Sequence, residues 1–248
     1  MPHRLERDPL GPVHVPAGAY YGAQTARALE NFPISGMRPH AALVRATIAI
    51  KLACAEANGA LGRLPKATAA AIAKAAREVL AGGLRDQFVV DVYQAGAGTS
   101  HNMNANEVIA NRANELLGGA RGAYDPVHPN DHVNMSQSTN DTVPASIRVA
   151  ALSMAPELLD ALTSLAGAFD EKGRAFDGIL KSARTHLQDA VPMRMGQEFA
   201  AYAWTVRRDA QRVADAIAYL REINLGGTAA GTGMNTHPRY AVTVAAAL

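Results

Sequence analysis

The stretch from Gly196 to Asn224 constrains this chain more than any other. Within it Phe199, Ala203, Val206, Ala210, Val213, Ile217 and Leu220 recur at alternating spacings of four and three, while Arg207, Arg208, Gln211, Arg212 and Asp215 occupy other faces. That pattern is the apolar stripe of an amphipathic helix longer than an ordinary globular one, and only a partner helix can bury it. A bundle or coiled-coil seam is expected, with oligomerisation the simplest source of the partner. Composition agrees, since 48% hydrophobic residues with only 5% aromatic describe an Ala-rich chain suited to close helix packing. Ala41 to Asn58 and Pro65 to Leu80 read as helices, the second opening with Pro in its first turn and stopping at Gly82-Gly83. Asn104 to Leu117 repeats this grammar with Gly118-Gly119 as its stop, and a longer segment runs from Pro144 to about Phe169. Residues 1 to about 38 carry Pro, Gly and short apolar pieces such as Val13-His14-Val15, and read as an extended arm. The fold class is therefore mainly α.

Charge and cysteine content narrow the function. The net charge of +2 arises from 24 basic and 22 acidic residues dispersed along the chain, so no footprint for nucleic acid or membrane stands out, and an acidic small molecule remains compatible. Cys54 is the only cysteine and sits in an apolar helical stretch, which excludes an internal disulfide and reads as a small buried hydrophobe. Met1 to Asp8 lacks an apolar signal core, and no uninterrupted apolar run reaches bilayer-spanning length. A soluble cytoplasmic protein is expected.

Three polar islands interrupt this apolar background. They are Gly96-Ala97-Gly98-Thr99-Ser100 running into Asn102-Met103-Asn104, then His128-Pro129-Asn130-Asp131 with Ser136-Gln137-Ser138-Thr139-Asn140-Asp141, and finally Arg184-Thr185-His186-Leu187-Gln188-Asp189. Such a composition is a poor core and needs many partners if buried, so a polar small-molecule site is the expectation. The glycines before Thr99 let backbone approach a ligand, and the helix that follows favours anions. Ser138-Thr139-Asn140 offers two hydroxyls and an amide to a second negative group, so the pair of donor clusters suits a dicarboxylate. Thr185-His186 adds a hydroxyl and an imidazole able to polarise an amine or a water. Each island taken alone also has a structural reading, because Gly turns connect helices and Ser, Thr and Asn cap them. His128 to His132 lacks the Cys/His spacing of a metal site, and no metal site is expected.

Taken together, the islands resemble the class II fumarase and aspartase family. The resemblance is carried by Gly98-Thr99 with Asn102-Met103-Asn104-Ala105-Asn106-Glu107, by His128 to Asn134, by Ser136 to Asp141 and by Gly196-Gln197-Glu198-Phe199. Ala19-Tyr20-Tyr21-Gly22 near the start and Gly227-Thr228-Ala229 with Gly231 to Thr236 near the end extend it over nearly the whole chain. It implies an N-terminal lyase domain over 1–140, including the arm, and the first long helices of a central bundle over 141–248. Tyr20-Tyr21-Gly22, Ala97, Ser138-Thr139 and Asn224-Leu225-Gly226 look more like aspartate ammonia-lyase than fumarate hydratase, where Trp, Ser and Ser-Ser are typical at the matching positions. Asp141-Thr142 and Val127-His128-Pro129 suit fumarases equally.

The resemblance implies deamination of L-aspartate to fumarate through an enediolate stabilised on one carboxylate. Thr99, Ser138 and Thr139 would bind that carboxylate, Asn140 and His186 would meet the amino group with His186 the catalytic candidate, and Thr185 would hold the other carboxylate. A second anion site would map to His128, Asn130 and Asp131. The family's sites assemble from different subunits of a homotetramer and need no cofactor, although some aspartases are activated by a divalent cation. One departure matters: the family's Gly-Ser-Ser-x-Met-Pro-x-Lys-x-Asn loop, which carries the serine base, occurs nowhere in this sequence. Residues 237 to 248 begin a new helix at Pro238 and stop at Ala245-Ala246-Ala247-Leu248 without a cap or polar terminus, so the chain reads as about the first half of a family member. A truncated gene product, a split protein with its remainder encoded elsewhere, or a deliberately shortened chain would all look this way. The chain alone is expected to lack activity, and a noncatalytic oligomerising fragment is the reading from a different class.

Overall fold

A computed structural model describes residues 2–248. The chain forms two compact units, Met1–Ala150 together with Ile223–Leu248, and Ala151–Glu222.

The first unit begins with an antiparallel hairpin of β1 (His3–Asp8) and β2 (Gly11–Pro16), in register from His3 against Pro16 to Asp8 against Gly11. Val13 and Val15 face inward from it. Helix α1 (Ala23–Asn31) follows and departs from the expected extended arm. It has no side-chain cap of its own at Gly22, so local sequence gives no start signal. Its first amides are capped from distant segments instead: Glu107 accepts from the backbone N–H groups of Gly22, Gln24 and Thr25, and Glu6 accepts from that of Ala23.

Helices α2 (Ala41–Ala60) and α3 (Lys66–Leu80, with Pro65 preceding it) match the sequence expectation closely. They pack on each other, and α3 packs on α4 (Thr99–Leu116), around Ile48, Ile72, Val79, Phe88, Val108 and Ile109. Helix α4 starts five residues earlier than the expected Asn104 and is buried on its polar side as well as its apolar one. Asn104 accepts from the Val89 amide and donates to the Gln87 carbonyl, Asn111 bridges the Tyr20 carbonyl and the Gly122 amide, and Asn114 pairs with both backbone groups of Val127. Part of the first island is thus core after all. Its amides imitate a strand, satisfying loops that wrap the helix. The segment 223–248 returns to this unit, where Tyr240 and Val244 of α7 (Tyr240–Ala247) pack with Ile50 and Cys54 of α2.

Helix α5 (Thr139–Ala175) begins in the first unit and continues into the second. By length and composition alone it is long and apolar enough to cross a membrane, although polar residues interrupt it and no uninterrupted apolar run of that length occurs in it. In the second unit, β3 (Leu180–Thr185) and β4 (Gln188–Arg194) pair as an antiparallel hairpin that helical periodicity does not announce, and α6 (Met195–Tyr219) follows. Phe169 of α5 and Phe176 just beyond its end meet Phe199 with tilted and edge-on rings, at centroid distances of 6.2 and 5.2 Å. Gly196 permits the crossing, since a Cβ there would lie 2.7 Å from the Asp177 Cα. The predicted stripe from Phe199 to Leu220 is buried or half-buried along its whole length. A second apolar row on α5, Ile147, Met154, Leu158 and Leu165, is exposed at heptad spacings of seven, four and seven.

Candidate active site

Two helix starts adjoin in the first unit. Gly98 precedes α4 with a left-handed φ of 80°, and a Cβ at that position would fall 2.8 Å from the Val143 side chain on α5. Glycine is therefore required twice over, once for the turn and once for the approach of the two helices. Asn102 reaches across, its amide nitrogen 3.4 Å from Thr139 Oγ1. Thr99 is exposed at the first position of α4, and half-buried Ser138 and Thr139 with exposed Asn140 stand at the start of α5. Each helix start carries partial positive charge from its unpaired first amides, which suits an anion. A cavity of about 310 Å³ opens beside the Gly96–Gly98 turn, bounded by Leu43, Tyr93, His101, Val143 and Ile147.

The start of α5 is fixed by reciprocal capping. Ser138 Oγ accepts from the Asn140 amide at 3.1 Å, and Asp141 Oδ1 accepts from the Ser138 amide at 2.9 Å. Asp141, wholly buried, also receives the Gly226 and Thr228 amides on Oδ2 at 3.1 and 2.9 Å, which ties the glycine loop to the helix start. Pro144 lacks the N–H that would bond the Asn140 carbonyl, and the Asn224 side chain donates to that carbonyl instead at 3.0 Å. The Asn140 side chain donates to the Ala229 carbonyl at 2.8 Å.

Beneath these hydroxyls lies a polar network that sequence reasoning missed. Lys51 of α2 is wholly buried and donates to Asn134 Oδ1 at 2.9 Å and Gln137 Oε1 at 2.8 Å. Burial pushes its ammonium down to about 7. Asn134 Oδ1 also accepts from Asn102 at 3.2 Å. Nearby, Thr47 donates its hydroxyl to the Leu43 carbonyl, so His101 Nε2, 2.9 Å from Thr47 Oγ1, carries the ring proton. That leaves His101 Nδ1 as a bare lone pair without a partner, and burial together with Lys51 pushes the imidazole down to about 4. The one available signal was a single lysine inside the apolar run Ile48-Ala49-Ile50-Lys51-Leu52-Ala53.

The second-anion-site candidates sit on one π-helical turn, Pro129–Val133. His128 Nδ1 accepts from the Asn130 and Asp131 amides at 3.3 and 3.2 Å, so the ring caps this turn. Because that lone pair faces two N–H groups, the Asp131 carboxylate 3.4 Å away meets no proton on it. Asn130 and Asp131 are exposed. Thr185 and His186 belong to the second unit, at the tip of the β3–β4 hairpin. His186 and Leu187 form its two-residue turn, both left-handed with φ of 49° and 62°. Neither is glycine or asparagine, so each bears a local cost of about 1 kcal/mol or more that the tip retains while holding Thr185, His186 and Leu187 out to solvent. Among the described residues, no group of three His, Cys, Asp or Glu side chains is placed to hold a metal ion.

A family described as "Lyase" matches residues 11–248. The class II fumarate hydratase of Halobacterium salinarum is 52% identical over 98% of this chain and 52% of its own length. An aspartate ammonia-lyase of a Bacillus species is 50% identical over 96% of this chain and 51% of its own length. Among solved structures, the cobalt-bound fumarate lyase:delta crystallin of Brucella melitensis superposes with a TM-score of 0.94 at 51% identity, covering 98% of this chain and 53% of that one. The class II fumarase of Schistosoma mansoni gives 0.93 at 37% identity, covering 98% and 51%. The chain spans about half the length of the curated relatives it matches. It belongs to the lyase family that includes class II fumarate hydratases and aspartate ammonia-lyases.

Proposed function

We propose that this chain supplies the carboxylate- and amine-binding parts of an aspartate ammonia-lyase, which converts L-aspartate to fumarate and ammonia. The observation that carries the reading is the junction of the α4 and α5 starts, with Thr99 opening one helix and Ser138 and Thr139 at the start of the other. Charge that develops on a substrate carboxylate after loss of the C3 proton meets hydroxyl donors and two helix dipoles there. Asn140 stands at the start of α5 for the amino group, and Thr185 and His186 complete the set from the hairpin tip of another subunit. A homotetramer fits the exposed α5 row and the solvent-facing tip, where Leu187 is 88% exposed. The proton-abstracting serine would come from a loop whose motif this sequence does not contain. A second anion would bind at His128, Asn130 and Asp131, and the enzyme would act without a cofactor in the cytoplasm. Fumarate hydration is the second reading, since a class II hydratase and an aspartate ammonia-lyase match this chain at the same 52% identity.

The test is complementation. The 248-residue chain alone releases no measurable ammonia from L-aspartate, and a polypeptide carrying the missing loop from an aspartase restores release. Thr99→Ala, Thr139→Ala and His186→Ala each lower restored turnover or affinity more than tenfold, about 1.4 kcal/mol of transition-state stabilisation. A complemented chain that hydrates fumarate to malate and leaves aspartate untouched establishes the hydratase reading instead.

A further inference from the structure

Lys51 poses a physical problem. An ammonium wholly enclosed in protein costs several kcal/mol unless a carboxylate pairs with it, and a methionine would fill similar space without that cost. Yet Nζ is held by two neutral amide oxygens, those of Asn134 and Gln137. Asp141 favours the charged form of Lys51 through space, but its own oxygens are engaged by the amides of Ser138, Gly226 and Thr228. The placement is specific. Asn134 Oδ1, which accepts the Lys51 hydrogen bond at 2.9 Å, also accepts one from Asn102, whose amide nitrogen lies 3.4 Å from Thr139 Oγ1. Gln137, the other partner, immediately precedes Ser138.

We propose that Lys51 is a proton-linked counter-charge for the dicarboxylate: it takes up a proton from solvent as the dianion binds at Thr99, Ser138 and Thr139, and through Asn134 and Asn102 it positions the Thr139 hydroxyl. This inference rests on the dicarboxylate-lyase reading. It makes Lys51 a positioning residue, because nothing places its amine on the substrate.

The surrounding groups leave the role to Lys51. On its own helix, burial pushes the Cys54 thiol up to about 12. On α4, His101 lies at about 4. On α7, burial raises the Tyr240 phenol beyond the range of ordinary titration. Asp141 faces the cluster from α5. Lys51, at about 7, is the member whose proton occupancy a nearby dianion would change at neutral pH.

Succinate, an unreactive dianion, is the probe. Calorimetry on the 248-residue chain in buffers of different ionisation enthalpy gives proton uptake, and amide resonances of Thr99, Ser138 and Thr139 report where the ligand sits. At about pH 8, uptake of close to one proton per bound succinate is expected, with Kd weakening about tenfold per pH unit above about 7.5. Lys51→Met removes both the uptake and the slope. If that variant does not fold, the wild-type proton count decides alone. Succinate bound at those amides with no proton uptake and pH-independent affinity overturns the role of Lys51 and leaves the dicarboxylate reading intact. No perturbation of those amides by succinate, fumarate or aspartate overturns that reading, and this inference with it.

Discussion

Replacing Asp141 with alanine tests whether this carboxylate builds the site or merely sits in the first turn of a helix. Asp141 is wholly buried and accepts three backbone N–H groups, from Ser138, Gly226 and Thr228. The Gly226 and Thr228 bonds are themselves buried. Alanine strands both amides, and each stranded buried donor costs about 1–3 kcal/mol. Loss of the Ser138 bond, which is nearer solvent, adds less. A total near 4 kcal/mol is expected, a large share of the roughly 5–15 kcal/mol that holds a typical domain together. A carboxylate acting only through the helix dipole would contribute about 0.3–1 kcal/mol. Urea unfolding of Asp141→Ala measures the total. Hydrogen exchange locates it, since 4 kcal/mol corresponds to about a thousandfold loss of protection, concentrated at the Gly226 and Thr228 amides. Asp141→Asn keeps one acceptor oxygen and turns an N–H toward the remaining donors, so it falls between, near 2 kcal/mol. A loss below about 1 kcal/mol with unchanged exchange at both amides would refute the reasoning.

Lys51 carries a stability signature independent of any ligand. Its ordinary value of 10.5 drops to about 7 in the fold, so between these values the unfolded chain binds the proton more tightly. Stability from this group is therefore full above the unfolded value and falls as pH drops toward the folded one, with a slope of at most about 1.4 kcal/mol per pH unit. Urea unfolding at about pH 7.5 and 8.5 shows that rise in the parent, and Lys51→Met flattens it; equal slopes in the two proteins contradict the burial argument. Leu158→Glu places a charge in the exposed Ile147, Met154, Leu158 and Leu165 row and lowers self-association, with sedimentation showing smaller species than the parent. An unchanged sedimentation profile removes that row from the interface. Among variants of the proposed site, His186→Ala at the hairpin tip is the sharpest, because a capping role would lower the melting temperature and leave the kinetics of the folded fraction intact.

Local pattern alone determined much of the scaffold. Helices α2 and α3 follow from Ala-rich segments closed by Pro65 and Gly82, and the stripe from Phe199 to Leu220 announced α6 and its need for a partner. The motifs around Thr99 and Ser138 were expected just ahead of helices beginning at Asn104 and Pro144, and the helices instead begin within them, at Thr99 and Thr139. Helices α2, α3 and α6 were legible because their causes lie within a few residues of one another: period, cap and breaker. What only the tertiary structure decided involves partners far apart in the chain. Glu107 caps α1 across 85 residues, which no local signal encodes. The asparagines of α4 are buried because loops 11 to 91 residues away offer them backbone groups, so their polarity misled a reading based on composition. The β3–β4 hairpin holds its turn with His186 and Leu187 rather than Asn-Gly, so turn chemistry gave no warning of it. Lys51 drew no reading from sequence, because its role depends on α2 being covered by α4, α7 and the loop before α5; burial, which sequence does not state, pushes this cation down to about 7.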